Sequence, residues 1–188
     1  MTKRQQEILA AGKELLEPIF MSQLPELLKN YKEREKEILG ELSEKIRGAF
    51  YEAQKLQMEK DGEVVNIMTI NYLQSSTLTA NYELRIGFYN RVPYMEEKGI
   101  CTYWNPDFIT GYLLKDTEYF RNIIVKKIPQ IKEYEIQQFI DGYVLNYIFL
   151  LQQFLGQILP GICRGMEVSK VIFGEYMGKG TVIMGEVE

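Results

Sequence analysis

From Gly142 to Cys163 the chain carries 22 consecutive uncharged residues, a length at which an apolar helix can cross a bilayer. The composition of this run decides against lipid. Asn146, Gln152, Gln153 and Gln157 would each need a hydrogen-bond partner there, and Pro160 interrupts the C-terminal end. At about 100° per residue, Glu135, Gln138, Asn146, Gln153 and Gln157 share one arc, beside that of Ile140, Tyr143, Tyr147, Phe154 and Ile158. An ordered polar stripe of this kind belongs to a buried helix with one wet edge. A long central helix from about Gln130 to Leu159 is therefore predicted, and a membrane role is disfavoured.

The N-terminal quarter repeats apolar residues at helical spacing. A first helix is predicted from Lys3 to Glu17, ended by Pro18. Ser22 then reads as an N-cap, with Pro25 tolerated in the first turn. Leu28, Tyr31, Ile38, Leu42, Ile46, Ala49, Ala53 and Leu56 follow, and Asp61-Gly62 supplies a stop. As one rod, residues 23–60 would measure about 55 Å, against a diameter of about 40 Å for a compact domain of this size. Such a helix either bends at Gly40 or Gly48 or projects and needs a partner surface. Lys32 to Glu37 alternate in sign and read as a solvated face, supported by pairs such as Glu41 with Lys45.

After Gly62 the period changes from 3.6 to 2. Val64, Met68, Ile70 and Tyr72 share one face of a predicted strand, and Gln74-Ser75-Ser76 reads as a turn. The next run places Leu78, Ala80, Tyr82, Leu84, Ile86 and Phe88 inward, with Thr79, Asn81, Glu83, Arg85 and Tyr89 outward. This is a β-hairpin pattern, with a third strand at Ile100–Trp104 after the Arg91–Gly99 loop. Asn105-Pro106 then opens a helix, Asp116 or Thr117 caps another that ends near Ile128, and Pro129 precedes the central helix. Val168 to Val187 reads as a second hairpin around Gly178-Lys179-Gly180.

The order of elements, without alternating β and α units, predicts an α+β fold: an antiparallel sheet of three to five strands, from two β-hairpins, packed against long α-helices. Residues 1–188 are read as a single domain, with 1–61 a helical hairpin able to project as an assembly element and 62–188 the α+β body.

Composition narrows the chemistry. The chain has no histidine, which excludes Ser-His and Cys-His machinery and His-ligated metal. Its two cysteines, Cys101 and Cys163, lie far apart in apolar surroundings and read as free thiols of a reducing cytoplasm. No metal or cofactor is implied. The net charge of −4 disfavours nucleic acid. The N-terminus shows no long apolar run before a small-residue cleavage site, so a cytoplasmic location is expected. Gly174 to Thr181 imitates a phosphate loop but misses its spacing and has no helix to follow it.

Among carboxylates, Asp141 flanks the uncharged run beside Gln137 and Gln138 and is the weak candidate for acid–base work. Aromatic residues are the least ordinary feature. Of 13 tyrosines, Tyr89, Tyr94, Tyr103 and Tyr112 fall with Trp104 and Phe108 inside 24 residues. Such side chains join an apolar body to a polar atom and suit pockets and interfaces. Arg85 and Arg91 could fix an anionic end.

These features point to a non-catalytic regulatory, sensor or adaptor-type module. It would bind a small ligand or a protein partner through Arg85, Arg91, Tyr94, Tyr103, Trp104 and Tyr112. Two alternatives stay open: an enzyme using carboxylate, tyrosine or lysine groups without histidine or metal, and a structural homodimer joined through residues 23–60.

Overall fold

The computed structural model describes residues 2–58, 65–73, 75–89, 100–175 and 180–184. In chain order these form α1 (Lys3–Met58), β1 (Ile67–Tyr72), α2 (Ser76–Thr79), β2 (Leu84–Tyr89), β3 (Ile100–Trp104), α3 (Asp107–Lys127), α4 (Glu133–Ile162), β4 (Lys170–Glu175) and β5 (Gly180–Met184). The protein is α+β.

Where the sequence predicts two helices, α1 is one, 56 residues long with Pro18 and Pro25 inside it. Each proline removes one backbone bond and is expected to cost about 3 kcal/mol in a helix interior. Both prolines lie on the exposed side, while Ile8, Leu16 and Leu27 are buried. Tertiary burial along that stripe offsets the local penalty. Ser22 is correspondingly no N-cap: its hydroxyl donates back to the Ile19 carbonyl at 2.8 Å. The helix instead starts in a capping box. Gln5 N donates to Thr2 Oγ1 at 3.2 Å, and Thr2 N donates to Gln5 Oε1 at 2.7 Å.

A second merger occurs in α3, which runs unbroken through Asp116 and Thr117. Neither residue is a cap; both are buried in the middle of the helix. Between α3 and α4, Gln130 adopts a left-handed backbone with φ of 54°. The Arg4 guanidinium holds its carbonyl at 3.1 Å. The central helix α4 ends at Ile162, past Pro160. Gln138, Asn146, Gln153 and Gln157 on it are exposed, and Ile140, Tyr143 and Tyr147 are buried, as its pattern predicts, whereas Glu135 of the expected wet edge is buried and Phe154 and Ile158 are only partly covered. Among the described residues no helix is long and apolar enough to cross a membrane.

The sheet has the order β3-β2-β1-β4-β5. It is mixed, not purely antiparallel: β1 pairs with β2 antiparallel but with β4 parallel, Met68 facing Val171 and Ile70 facing Phe173. A parallel neighbour requires a long crossover, and the chain supplies one through β2, β3, α3 and α4. The connection from β1 to β2 contains α2 rather than a tight turn, so the predicted start of β2 is shifted. Leu78, expected inward, is 74% exposed on α2, and Ala80 turns the chain with φ of 53°. The third strand stands where the sequence places it, pairing with β2. Strands β4 and β5 pair antiparallel with Gly174 opposite Gly180. The predicted turn at Gly178-Lys179 lies outside the described residues, as do Val64, Gln74 and the Arg91–Gly99 loop.

The chain divides into two compact units. The first comprises Met1–Glu35, Thr77–Ala80 and Asp107–Phe149. Its core joins Ile8, Leu16 and Leu27 of α1 to Leu113, Phe120 and Ile124 of α3 and Ile136, Ile140 and Val144 of α4. At Gly12 the helices approach closely, since a Cβ there would overlap the Phe139 ring. The second unit comprises Lys36–Ser76, Asn81–Pro106 and Leu150–Glu188. Its core sets Met68, Ile70, Leu84, Ile86, Phe88, Val171 and Phe173 of the sheet with Ile38, Leu42 and Ile46 of α1 and Leu151, Leu155 and Leu159 of α4. The Phe50 and Phe88 rings meet at 5.7 Å. Ile38 and Leu42, the residues on which an α1 assembly seam would depend, are therefore used in the chain's own core.

Candidate functional site

Within the sheet unit, the period of two puts Arg85, Gly87 and Tyr89 on one face of β2. Register extends this face sideways: Asn71 and Tyr103 flank Arg85, and Thr69 and Cys101 flank Gly87. Gly87 is needed for close approach. Its missing side chain leaves room for the Tyr89 ring, whose hydroxyl would lie 2.8 Å from a Cβ at that position. The ring therefore folds back along the strand, and Arg85 Nη1 donates to the Tyr89 hydroxyl at 2.9 Å. Around this pair Thr69, Asn71 and Tyr89 are buried, with Asn71 Nδ2 donating to Thr69 Oγ1 at 3.1 Å. Tyr103 is 44% exposed and gives the patch its solvent edge. Its backbone carbonyl is anchored by Lys45 Nζ at 2.8 Å.

Arg85 is half-buried. Desolvation works against its charge, but the Tyr89 hydroxyl and then the Cys101 sulfur more than compensate, so its pKa lies above the ordinary arginine value. The side chain stays cationic. Among the described residues its partners are a hydroxyl and a thiol, with no carboxylate to balance the charge. A cation partly withdrawn from water interacts more strongly with any carboxylate or phosphate that reaches it.

Not every aromatic residue singled out by sequence joins this patch. Trp104 follows Tyr103 on β3 and so faces the other way, into the core opposite Leu84, with 1% exposure. It is a core residue, unable in this conformation to cover a ligand. Tyr112 belongs to the helical unit, where Lys115 Nζ sits 5.6 Å from its ring centre. Arg91 and Tyr94 lie outside the described residues. Cys101 and Cys163 are free thiols, and burial pushes the Cys163 thiol up to about 11.

In the helical unit, Asp141 is exposed and simply accepts from Gln137 Nε2 at 2.8 Å. The carboxylate withdrawn from water is Asp116, 2% exposed. Its Oδ2 accepts from the Tyr143 and Tyr147 hydroxyls, both at 2.6 Å, and its Oδ1 accepts from Gln23 Nε2 at 3.0 Å. Burial first, and hydrogen bonding to Asp116 second, raise both phenols above their ordinary pKa, so they remain donors. Phe20 meets Tyr147 edge-on at 5.0 Å, and Phe139 stacks on Tyr143 at 6.2 Å. One carboxylate thus fastens α3 to α4 and α1 with neutral donors, an arrangement that fixes helix register. The signal was present in sequence: Leu113, Asp116, Phe120 and Ile124 share one helical face. Reading Asp116 as a cap concealed it. Among the described residues no cluster of acidic and thiol groups could hold a metal ion.

No protein-family model, curated protein or solved structure matches the chain. The fold defines it as an α+β protein with a mixed five-stranded sheet.

Proposed function

We propose that the protein is a non-catalytic binding module of the regulatory, sensor or adaptor kind, taking an anionic group of a small ligand or protein partner at Arg85. The observation that supports this reading is the half-buried guanidinium whose described partners include no carboxylate. Tyr89 orients it from within the strand, and the exposed ring of Tyr103 on the neighbouring strand offers an apolar surface beside it. An incoming carboxylate or phosphate would form a charge-assisted hydrogen bond in partly desolvated surroundings, where such bonds are strongest.

The test is native mass spectrometry of untagged protein as purified from cells, with a denaturing run alongside. Wild type should carry an added anionic mass that denaturation releases, and Arg85→Gln should lose it. Equal retention of that mass by Arg85→Gln would remove Arg85 from the site.

A further inference from the structure

In the helical unit a groove of about 390 Å³ lies between the start of α1 and the start of α4, lined by Gln5, Ile8, Leu9, Glu135, Gln138 and Phe139. This is the size of a small-molecule site. We propose that it binds an uncharged molecule with a flat apolar body and an amide-like edge.

The walls set the shape. Ile8, Leu9 and Phe139 are apolar, and the Phe139 ring is fixed by Phe120 at 4.4 Å, by Tyr143 at 6.2 Å and by contact over Gly12. A wall so held suits a preformed site, which saves a ligand the cost of ordering it.

The charges cancel. Among the described residues lining the groove Glu135 is the one that ionises, and both its oxygens are already engaged. Arg4 Nε donates to Oε1 at 2.6 Å, Arg4 Nη2 to Oε2 at 3.0 Å, and Lys132 N to Oε2 at 2.9 Å. The Arg4 bond holds the Glu135 carboxyl below its usual range, so the pair persists as a closed ion pair. Among the described residues lining the groove, none offers a charged ligand an unengaged cation or anion.

What remains for recognition is amide chemistry. Gln5 Oε1 is occupied by Thr2 N at 2.7 Å, and Gln5 Nε2 has no hydrogen-bond partner among the described residues. The exposed Gln138 amide has no hydrogen-bond partner among the described residues and offers both a donor and an acceptor. Their complement is a ligand edge with one carbonyl and one N–H.

The experiment is an amide-resolved NMR titration with benzamide to about 10 mM. Shifts should centre on Leu9, Gln138 and Phe139. Gln138→Leu, at an exposed position, should weaken binding about three- to tenfold, the worth of one net hydrogen bond, and Leu9→Trp should abolish it by filling the groove. Benzoate has no N–H for the Gln138 amide oxygen and brings a negative charge beside Glu135, so it should bind this groove about tenfold more weakly. The same shifts from benzoate as from benzamide would overturn the uncharged class. No shift at these residues, or shifts unchanged in Gln138→Leu, would overturn the site.

Discussion

Raising the pH beyond the ordinary phenol range should unfold the helical unit through Tyr143 and Tyr147. Burial, and then the hydrogen bonds to Asp116, hold both hydroxyls protonated well above the ordinary phenol range. In the unfolded chain the same groups ionise near 10. Above that pH the unfolded state binds fewer protons than the native one, so stability is complete below about 10 and falls as pH rises. Two phenols that stay protonated only in the fold cost about 2.7 kcal/mol per pH unit beyond 10. Over one pH unit this is already a substantial part of a typical folding free energy of about 5–15 kcal/mol. Urea unfolding between about pH 9 and pH 11, followed by far-ultraviolet circular dichroism and by phenolate absorbance, measures it. In Tyr143→Phe with Tyr147→Phe the pH slope should shrink, although stability at neutral pH drops because Asp116 loses two donors. Both phenols ionising near 10 without loss of helix would refute the network.

Gly12→Ala should destabilise the protein by about 1–2 kcal/mol, because overpacking against the Phe139 ring exceeds the gain of about 1 kcal/mol in helix propensity; thermal unfolding checks it, and Phe139→Leu in the same chain should restore part of the loss. Ile38→Glu with Leu42→Glu should unfold the sheet unit, since both side chains are buried within it. Size-exclusion chromatography with circular dichroism separates this from a folded protein that merely dissociates. Trp104→Ala should cost about 3–5 kcal/mol, as a core truncation does, and a variant of unchanged stability in denaturant titration would contradict its placement.

Much of this architecture is legible in sequence wherever a long periodic pattern outweighs local punctuation. The stripe along α4, the alternation in β2, the strand at Ile100–Trp104 and the solvated face at Lys32–Glu37 all follow from spacing alone. Punctuation misleads where tertiary burial overrides it. Pro18 with Ser22, and Asp116 with Thr117, each look like a helix boundary, and in each case α1 or α3 continues because its apolar face is buried on both sides. The parallel pairing of β1 with β4 depends on where two helices return the chain, which no local pattern encodes. At the site, alternation places Arg85 on the outward face of β2, which it shares with Gly87 and Tyr89. No face is assigned to the third strand from sequence, and the register that sets Trp104 opposite the buried Leu84 comes from its pairing with β2, which spacing within one strand does not encode.

The most direct test of the anion site is an NMR titration with benzoate that follows the Arg85 side-chain N–H resonance together with the amides of Asn71 and Tyr103. Saturable shifts at all three in the wild type, absent in Arg85→Gln and weakened in Tyr103→Ala, are expected. Benzoate leaving these resonances unmoved, or shifting them equally in Arg85→Gln, would contradict the assignment of Arg85 as the anion-binding group.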